Sequence, residues 1–273
     1  MTRVDLHLHT TASDGRCTPG ELVDRAWKAA LTVIAVTDHD TTASIAEVQH
    51  LAATRDIHAV SGIEITAIDA GRDIHILGYF FDPLHESLGT FLAAQRRARV
   101  ARVTAIGERL AALDMAIDVG PLVSQARTQN GRSVGRPQVA RAMVDAGYVA
   151  DTTEAFDRWL GRGCPAFVPR TGPEPAAVID IIHEAGGVAS LAHPGKLGLA
   201  ARVAPLAHAG LDAVEAFHPD HNAALVTQYV ALARELQLLM TGGSDFHGDP
   251  AHGLEPGSVT LPPAEWSRLQ ARG

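Results

Sequence analysis

Cysteine is scarce in this chain. Two occur among 273 residues, Cys17 and Cys164, far apart and outside any C-x-x-C spacing. A disulfide framework is therefore excluded, and a reducing compartment is expected. Long apolar runs are also missing. No stretch approaches the ~20 residues that span a bilayer, so no membrane partner is expected. The first strand-like segment starts at about Arg3. That leaves no room for a signal peptide and points to the cytoplasm. Positive charge is in deficit as well. The formal net charge is −8, which argues against a general nucleic-acid or DNA coat protein. No internal repeat and no low-complexity tract is visible.

What remains is the composition of a soluble globular chain, 46% hydrophobic and 20% charged. The charge is uneven. Between Arg96 and Arg170 stand 12 basic and 7 acidic residues, so this segment is +5 and the remainder −13. Such asymmetry suggests an anion-binding surface on an acidic body.

Residues 3–9 alternate like a strand, with Asp5, His7 and His9 on one face. Thr18-Pro19-Gly20-Glu21 is a capping box with proline at the first helical position. Strands are expected at 33–37, 58–66 and 74–81, the last returning beside the one before it through the turn DAGRD. Helices are expected over 88–113, near 136–146 and near 152–160, with no strand between them. These form a helical insertion, residues 86–164, in a barrel made of 1–85 and 165–273. After Pro173 the alternation resumes, with strands expected at 187–193, 212–218 and 238–247 and a short one near 258–261.

Strands alternating with helices imply a mostly parallel sheet with right-handed crossovers. An open sheet and a closed barrel both satisfy that. The polar clusters decide. His7/His9, His39, Glu64, His193, Glu215/His218 and Asp245/His247 end successive strands. In a barrel those ends share one rim, where such folds do their chemistry. His75 starts its strand, which a hairpin brings back to the same rim.

An H-x-H pair on a strand projects two imidazoles to one side and suits a borderline-soft metal. Glu64 can bridge two ions through its two oxygens. Asp245 and His247 repeat the i, i+2 spacing. Asp40 reads as a helix cap. So many buried polar groups need partners, and divalent cations supply them.

HLHTTASDG, TDHDT, GIEIT, IHILGY, AHPG and SDFH occur in this order. In these motifs the chain resembles the PHP (polymerase and histidinol phosphatase) superfamily over nearly its whole length. It is most similar to the nucleotide-phosphatase and short-RNA exonuclease group. The resemblance implies an α/β fold, a distorted (β/α)7 barrel with a helical insertion, and a trinuclear centre. It implies that His7, His9, Glu64 and Asp245 bind one ion, that Glu64, His75 and His193 bind a second, and that Asp14, His39 and His247 bind a third. Manganese is the first expectation, with iron, zinc or magnesium as alternatives, and two or three ions in all. The attacking water would be held by Glu64, Asp245 and His247. Members with histidinol phosphatase activity tend to carry His where Asp14 stands, so Asp14 favours the nucleotide branch. Relatives often read GRPH, whereas this chain reads Gly-Arg-Pro-Gln at 135–138, and they often carry Lys near Arg170.

Arg132, Ser133 and Arg136 stand among glycines just before a helix that Pro137 helps to start, as a phosphate site would. Arg170 and His218 are further candidate substrate contacts. Arg96, Arg97, Arg99 and Arg102 lie along one helix and read as a solvated face. The expected substrate is a small phosphate ester, a nucleoside 3′,5′-bisphosphate losing its 3′-phosphate, with short 5′-phosphorylated RNA as a further partner. The alternatives are another monoesterase, such as a histidinol phosphatase, and a non-catalytic metal-binding accessory module.

Overall fold

The computed structural model describes residues 2–127, 131–249 and 253–273. Seven strands form one sheet in sequence order: β1 (Val4–Leu8), β2 (Val33–Val36), β3 (His58–Asp69), β4 (Arg72–Tyr79), β5 (Val188–Leu191), β6 (Ala213–Phe217) and β7 (Leu239–Gly242). All neighbouring pairs are parallel except those made by β4, which runs back from β3 and pairs antiparallel with β3 and β5. The sheet curls into a nearly closed barrel. Its seam is crossed by single bridges, Leu8 to Phe246 and Val4 to Leu261.

The outer helices are α1 (Pro19–Lys28), α2 (Ile45–Ala53), α7 (Pro175–Glu184), α8 (Ala200–His208) and α9 (Ala223–Glu235). The start of α1 follows its sequence. Thr18 Oγ1 accepts from the Glu21 N–H at 3.3 Å, and Glu21 Oε2 accepts from the Thr18 N–H at 2.8 Å. Ile63, Ile65, Ile76, Val178, Ile182 and Val214 pack between the sheet and these helices. At the other end, Trp266 and Leu269 of α10 (Pro263–Gln270) pack with Val4, Val33 and Val188, the first residues of their strands. This helix closes the N-terminal mouth and leaves the C-terminal rim for the site.

Between β4 and α7 lie α3 (Glu86–Ala111), α4 (Gly120–Arg127), α5 (Arg136–Asp145), α6 (Thr152–Ala155) and a π-helical turn, Phe156–Leu160. They share a core of their own, with Val103, Ile106, Leu110, Val139, Met143 and Leu160 buried together.

The structure departs from the sequence reading in several places. The helix α4 and the final helix α10 were not anticipated, since each is a short segment of 8 residues opened by Gly-Pro or Pro. The strand expected near 258–261 is a single bridge at Leu261. The last strand ends at Gly242 instead of continuing to 247. Asp245 has φ +50, so the chain leaves the sheet before its ligands are presented. Asp40 caps nothing: Ser44 precedes α2, and Asp40 (φ +52) instead pairs with Arg99 and Arg170. Arg99 therefore turns inward from the arginine run of α3, and so does Arg102, which reaches Asp73.

Candidate metal centre

The nine expected ligands come together at the C-terminal rim. His7 is inside β1 and His9 just beyond it; His39 follows β2 and His193 follows β5. Glu64 lies in β3 where a bridge joins it to His39, and His75 faces Thr66 across the hairpin. Gly243 lets the end of β7 press against β1, because a Cβ there would lie 2.4 Å from the His7 nitrogen.

The donor atoms form three overlapping groups: His9, Asp14, His39 and His247; His7, His9 and Asp245; and His39, Glu64 and His75. Glu64 sits at their junction. Its Oε2 is 3.2 Å from Nε2 of both His7 and His9 and 3.3 Å from His39 Nδ1. Its Oε1 is 2.5 Å from His75 Nδ1 and 3.1 Å from His193 Nε2. Asp245 Oδ1 faces His7 and His9 at 3.3 and 3.4 Å. Asp14 faces His247 and His39 at 3.3 and 3.5 Å. His39 thus belongs to two groups, where the sequence reading gave it one.

The electrostatics call for cations. Burial works against charge here, yet Asp14, Glu64 and Asp245 are all held well below the usual carboxylate range by the surrounding imidazoles. Burial also opposes a charged His7 and a charged His9. The carboxylates outweigh it, pushing His7 well up and His9 up to about 10. His39, losing more to burial than it gains from Glu64 and Asp14, falls to about 3. Without added positive charge the pocket must hold protons on its imidazoles. Both ring nitrogens of His9 and the Nδ1 atoms of His39 and His193 are buried with no hydrogen-bond partner. Such unpartnered ring nitrogens are costly in a folded protein, and divalent cations would take up their lone pairs. The donor set fits divalent cations.

Residues beyond the expected set hold these ligands in place. Glu215, to which the sequence reading gave no role, accepts from His7 Nδ1 at 2.9 Å and from the His193 N–H at 2.7 Å. Asp5 accepts from the N–H groups of His7, Ser244 and Gly257 and from the Ser244 hydroxyl. Asp38 accepts from Thr10, Ser13 and Ser44. Period two had already placed Asp5 beside His7. Lys196 carries no such signal, yet its ammonium lies 3.8 Å from Asp245 Oδ2 and 3.7 Å from Asp220 Oδ2.

A cavity of about 580 Å³ opens over the cluster and is lined by Asp14, His39, Glu64, His193, Lys196 and His218, among others. His218 Nδ1 accepts from the Asp220 N–H at 3.1 Å, so its proton sits on Nε2, which donates to Asp245 Oδ2 at 3.3 Å. Beyond Arg136 and Phe156, residues shared with the large cavity, is a recess of about 120 Å³ lined by Arg99, Arg102 and Arg170. Arg102 Nη2 and Arg170 Nε are buried there without partners. Arg132 and Ser133, expected beside Arg136, line neither space. They border a separate cavity on the far side of Asp14. Gln138 places its Oε1 on the Gly135 N–H at 2.8 Å and its Nε2 on the Ser13 carbonyl at 2.5 Å, a structural role.

A barrel that gathers buried imidazoles and carboxylates on its C-terminal rim defines a metal-dependent hydrolase. The PHP domain family matches residues 5–142. The chain belongs to that family. The 5′-3′ exoribonuclease Rnm of Escherichia coli (strain K12) is 37% identical over 267 residues, covering 95% of this chain and 90% of that protein. The 3′,5′-nucleoside bisphosphate phosphatase of Chromobacterium violaceum is 31% identical over 282 residues, covering 100% of this chain and 98% of that one. A solved structure described as a metal-dependent phosphoesterase of Bifidobacterium adolescentis superposes with a TM-score of 0.87 at 30% identity, over 99% of this chain and 96% of that one. Among the described residues no helix is long and apolar enough to cross a membrane.

Proposed function

We propose that this protein, a phosphoesterase in keeping with its relatives, removes the 3′-phosphate of nucleoside 3′,5′-bisphosphates and leaves a 5′-monophosphate. Short 5′-phosphorylated RNA would use the same grip, with a diester as the scissile group. One observation carries the reading: the arginine recess opens from the cavity that covers the metal cluster. A substrate with two phosphates would set one over the cluster and the other among Arg99, Arg102, Arg136 and Arg170.

The three donor groups suit three divalent ions, with manganese proposed as the metal. Bound cations would lower the pKa of a shared water and screen the phosphate charge. The chain supplies the rest. Glu64, Asp245 and His247 border the place of the attacking water. His218, which holds Asp245 Oδ2 through Nε2, borders the same cavity and would fix that carboxylate beside the phosphate. Lys196 adds charge on the same side. Water attacks phosphorus, the bond to the 3′-oxygen breaks, and that oxygen leaves as a hydroxyl. Two unpaired cysteines accord with a cytoplasmic setting.

The test is a panel of phosphate esters with Mn²⁺. Fast release from a nucleoside 3′,5′-bisphosphate and slow release from histidinol phosphate is expected. The reverse order would replace this reading with a histidinol phosphatase.

A further inference from the structure

A second cavity, of about 200 Å³, lies between the loop after β1 and the insertion. Thr11, Ser13 and Gly15 form one wall; Leu122, Arg132, Ser133, Gln138 and Arg141 are among the residues of the other. In a chain of net charge −8 this cavity has, among the described residues, two arginines and no acidic side chain in its lining. Ser133 is 4% exposed, and its hydroxyl is buried with no hydrogen-bond partner. An unsatisfied buried hydroxyl is costly unless something fills the space beside it. A ligand rich in acceptor oxygens would take that donor and both guanidiniums.

We propose that this cavity binds a phosphate group, at a site separate from the metal centre. The site is tied to the catalytic rim. Arg141 borders both cavities, and its Nη1 donates to the Asp14 carbonyl at 2.9 Å. The Ser133 N–H donates to the Ala12 carbonyl at 2.8 Å, and Gln138 Nε2 donates to Ser13. An anion drawn between Arg132, Ser133 and Arg141 therefore rests against the loop that carries Asp14. The phosphate could come from two sources: free inorganic phosphate, which is the product of the proposed reaction, or a second phosphate of a bound oligonucleotide. Both present the same oxygens to the same donors.

The test is calorimetric titration of the metal-loaded protein with inorganic phosphate. Wild type is expected to take up two phosphates per chain. Arg132→Glu, at an exposed position, and Ser133→Val are each expected to lose one of the two, with affinity at that site falling at least tenfold. A single phosphate in wild type, or two that persist in both variants, would overturn the proposal. A kinetic arm then separates the sources. If Arg132→Glu raises KM for a 5′-phosphorylated dinucleotide and not for its 5′-hydroxyl form, the cavity takes a substrate phosphate. If the ratio of the two KM values is unchanged while the second phosphate is lost, it takes the free ion. The binding arm does not depend on hydrolysis, so its failure is distinct from failure of the 3′-phosphatase reading.

Discussion

His7 Nδ1 lies 2.9 Å from Glu215 Oε1, with both side chains fully buried. That contact decides which nitrogen of His7 faces the other ligands. With Nδ1–H donating to Glu215, Nε2 is the nitrogen turned toward Glu64 and Asp245, where a bound cation would take its lone pair. The second oxygen of Glu215 holds the His193 N–H, so one carboxylate orients ligands from two strands.

Glu215→Gln keeps the volume and one acceptor but removes the charge that favours this arrangement. Metal affinity is expected to fall about 10- to 100-fold, the usual cost of losing such a supporting carboxylate. Metal retained per chain after gel filtration measures it. Unchanged retention would show that Glu215 only packs.

Cation removal should be felt by the fold. Protein purified without chelator is expected to carry three divalent ions per chain; fewer than two would refute a multinuclear site. At a free ion concentration of about 100 times Kd, a single site adds roughly 2.7 kcal/mol of stability. Loss of one such site should lower Tm by roughly 5–10 °C and loss of all three by more, read by differential scanning fluorimetry as the ions are chelated.

Asp245→Asn should abolish hydrolysis with the fold intact. Asn tolerates the left-handed φ of +50 at this position as Asp does, and it retains an acceptor for His218. The carboxylate facing His7 and His9 is lost. A fall in kcat of at least about 10³-fold is expected, on the scale of losing one preorganised electrostatic contact, with the circular dichroism spectrum unchanged.

Most of this centre was legible because of period two and strand ends. His7 on β1 and His9 just past its end keep the alternation, and His39 and His193 follow the ends of β2 and β5, whereas Glu64 lies inside β3, which runs on to Asp69. Asp245 and His247 were found for a reason that proved wrong. They are neighbours through a left-handed turn, and no strand carries them. The roles of Asp40 and the α3 arginines were not legible, because the pairing of Asp40 with Arg170 spans 130 residues and local propensity reads only neighbours. The two cavities were equally hidden. Arg132 and Arg136 are four residues apart in sequence but border different spaces.

Arg136 tests the two-phosphate grip. It lines both the large cavity and the arginine recess. Arg136→Ala should raise KM for a nucleoside 3′,5′-bisphosphate about 10- to 100-fold, the loss of one or two charged hydrogen bonds. KM for a 3′-monophosphate should change little. Equal effects on both substrates would show that Arg136 does not hold a second phosphate.

Asp40 links the loop after β2 to α3 and to Arg170. Its Oδ2 lies 2.5 Å from Arg99 Nε and 2.8 Å from Arg170 Nη2, and its Oδ1 accepts from the Thr66 N–H at 3.0 Å. Burial alone would raise this carboxyl, but the two guanidiniums outweigh it and hold it well below the usual range. Asp40→Asn keeps the backbone conformation and the Thr66 contact but leaves two buried cations unpaired. A loss of about 3–5 kcal/mol in unfolding free energy is expected, as for other broken buried pairs. The sign of its pH dependence follows from the depressed pKa. An ionised Asp40 contributes fully above the unfolded value of about 3.9 and progressively less as acid is added. The stability gap between wild type and Asp40→Asn should therefore be constant from about pH 8 to 5 and narrow below about pH 4. The metal cluster titrates in both proteins and cancels in the difference. A gap that stayed constant to about pH 2, or widened below pH 4, would mean that the carboxylate charge is not what joins α3 to the barrel.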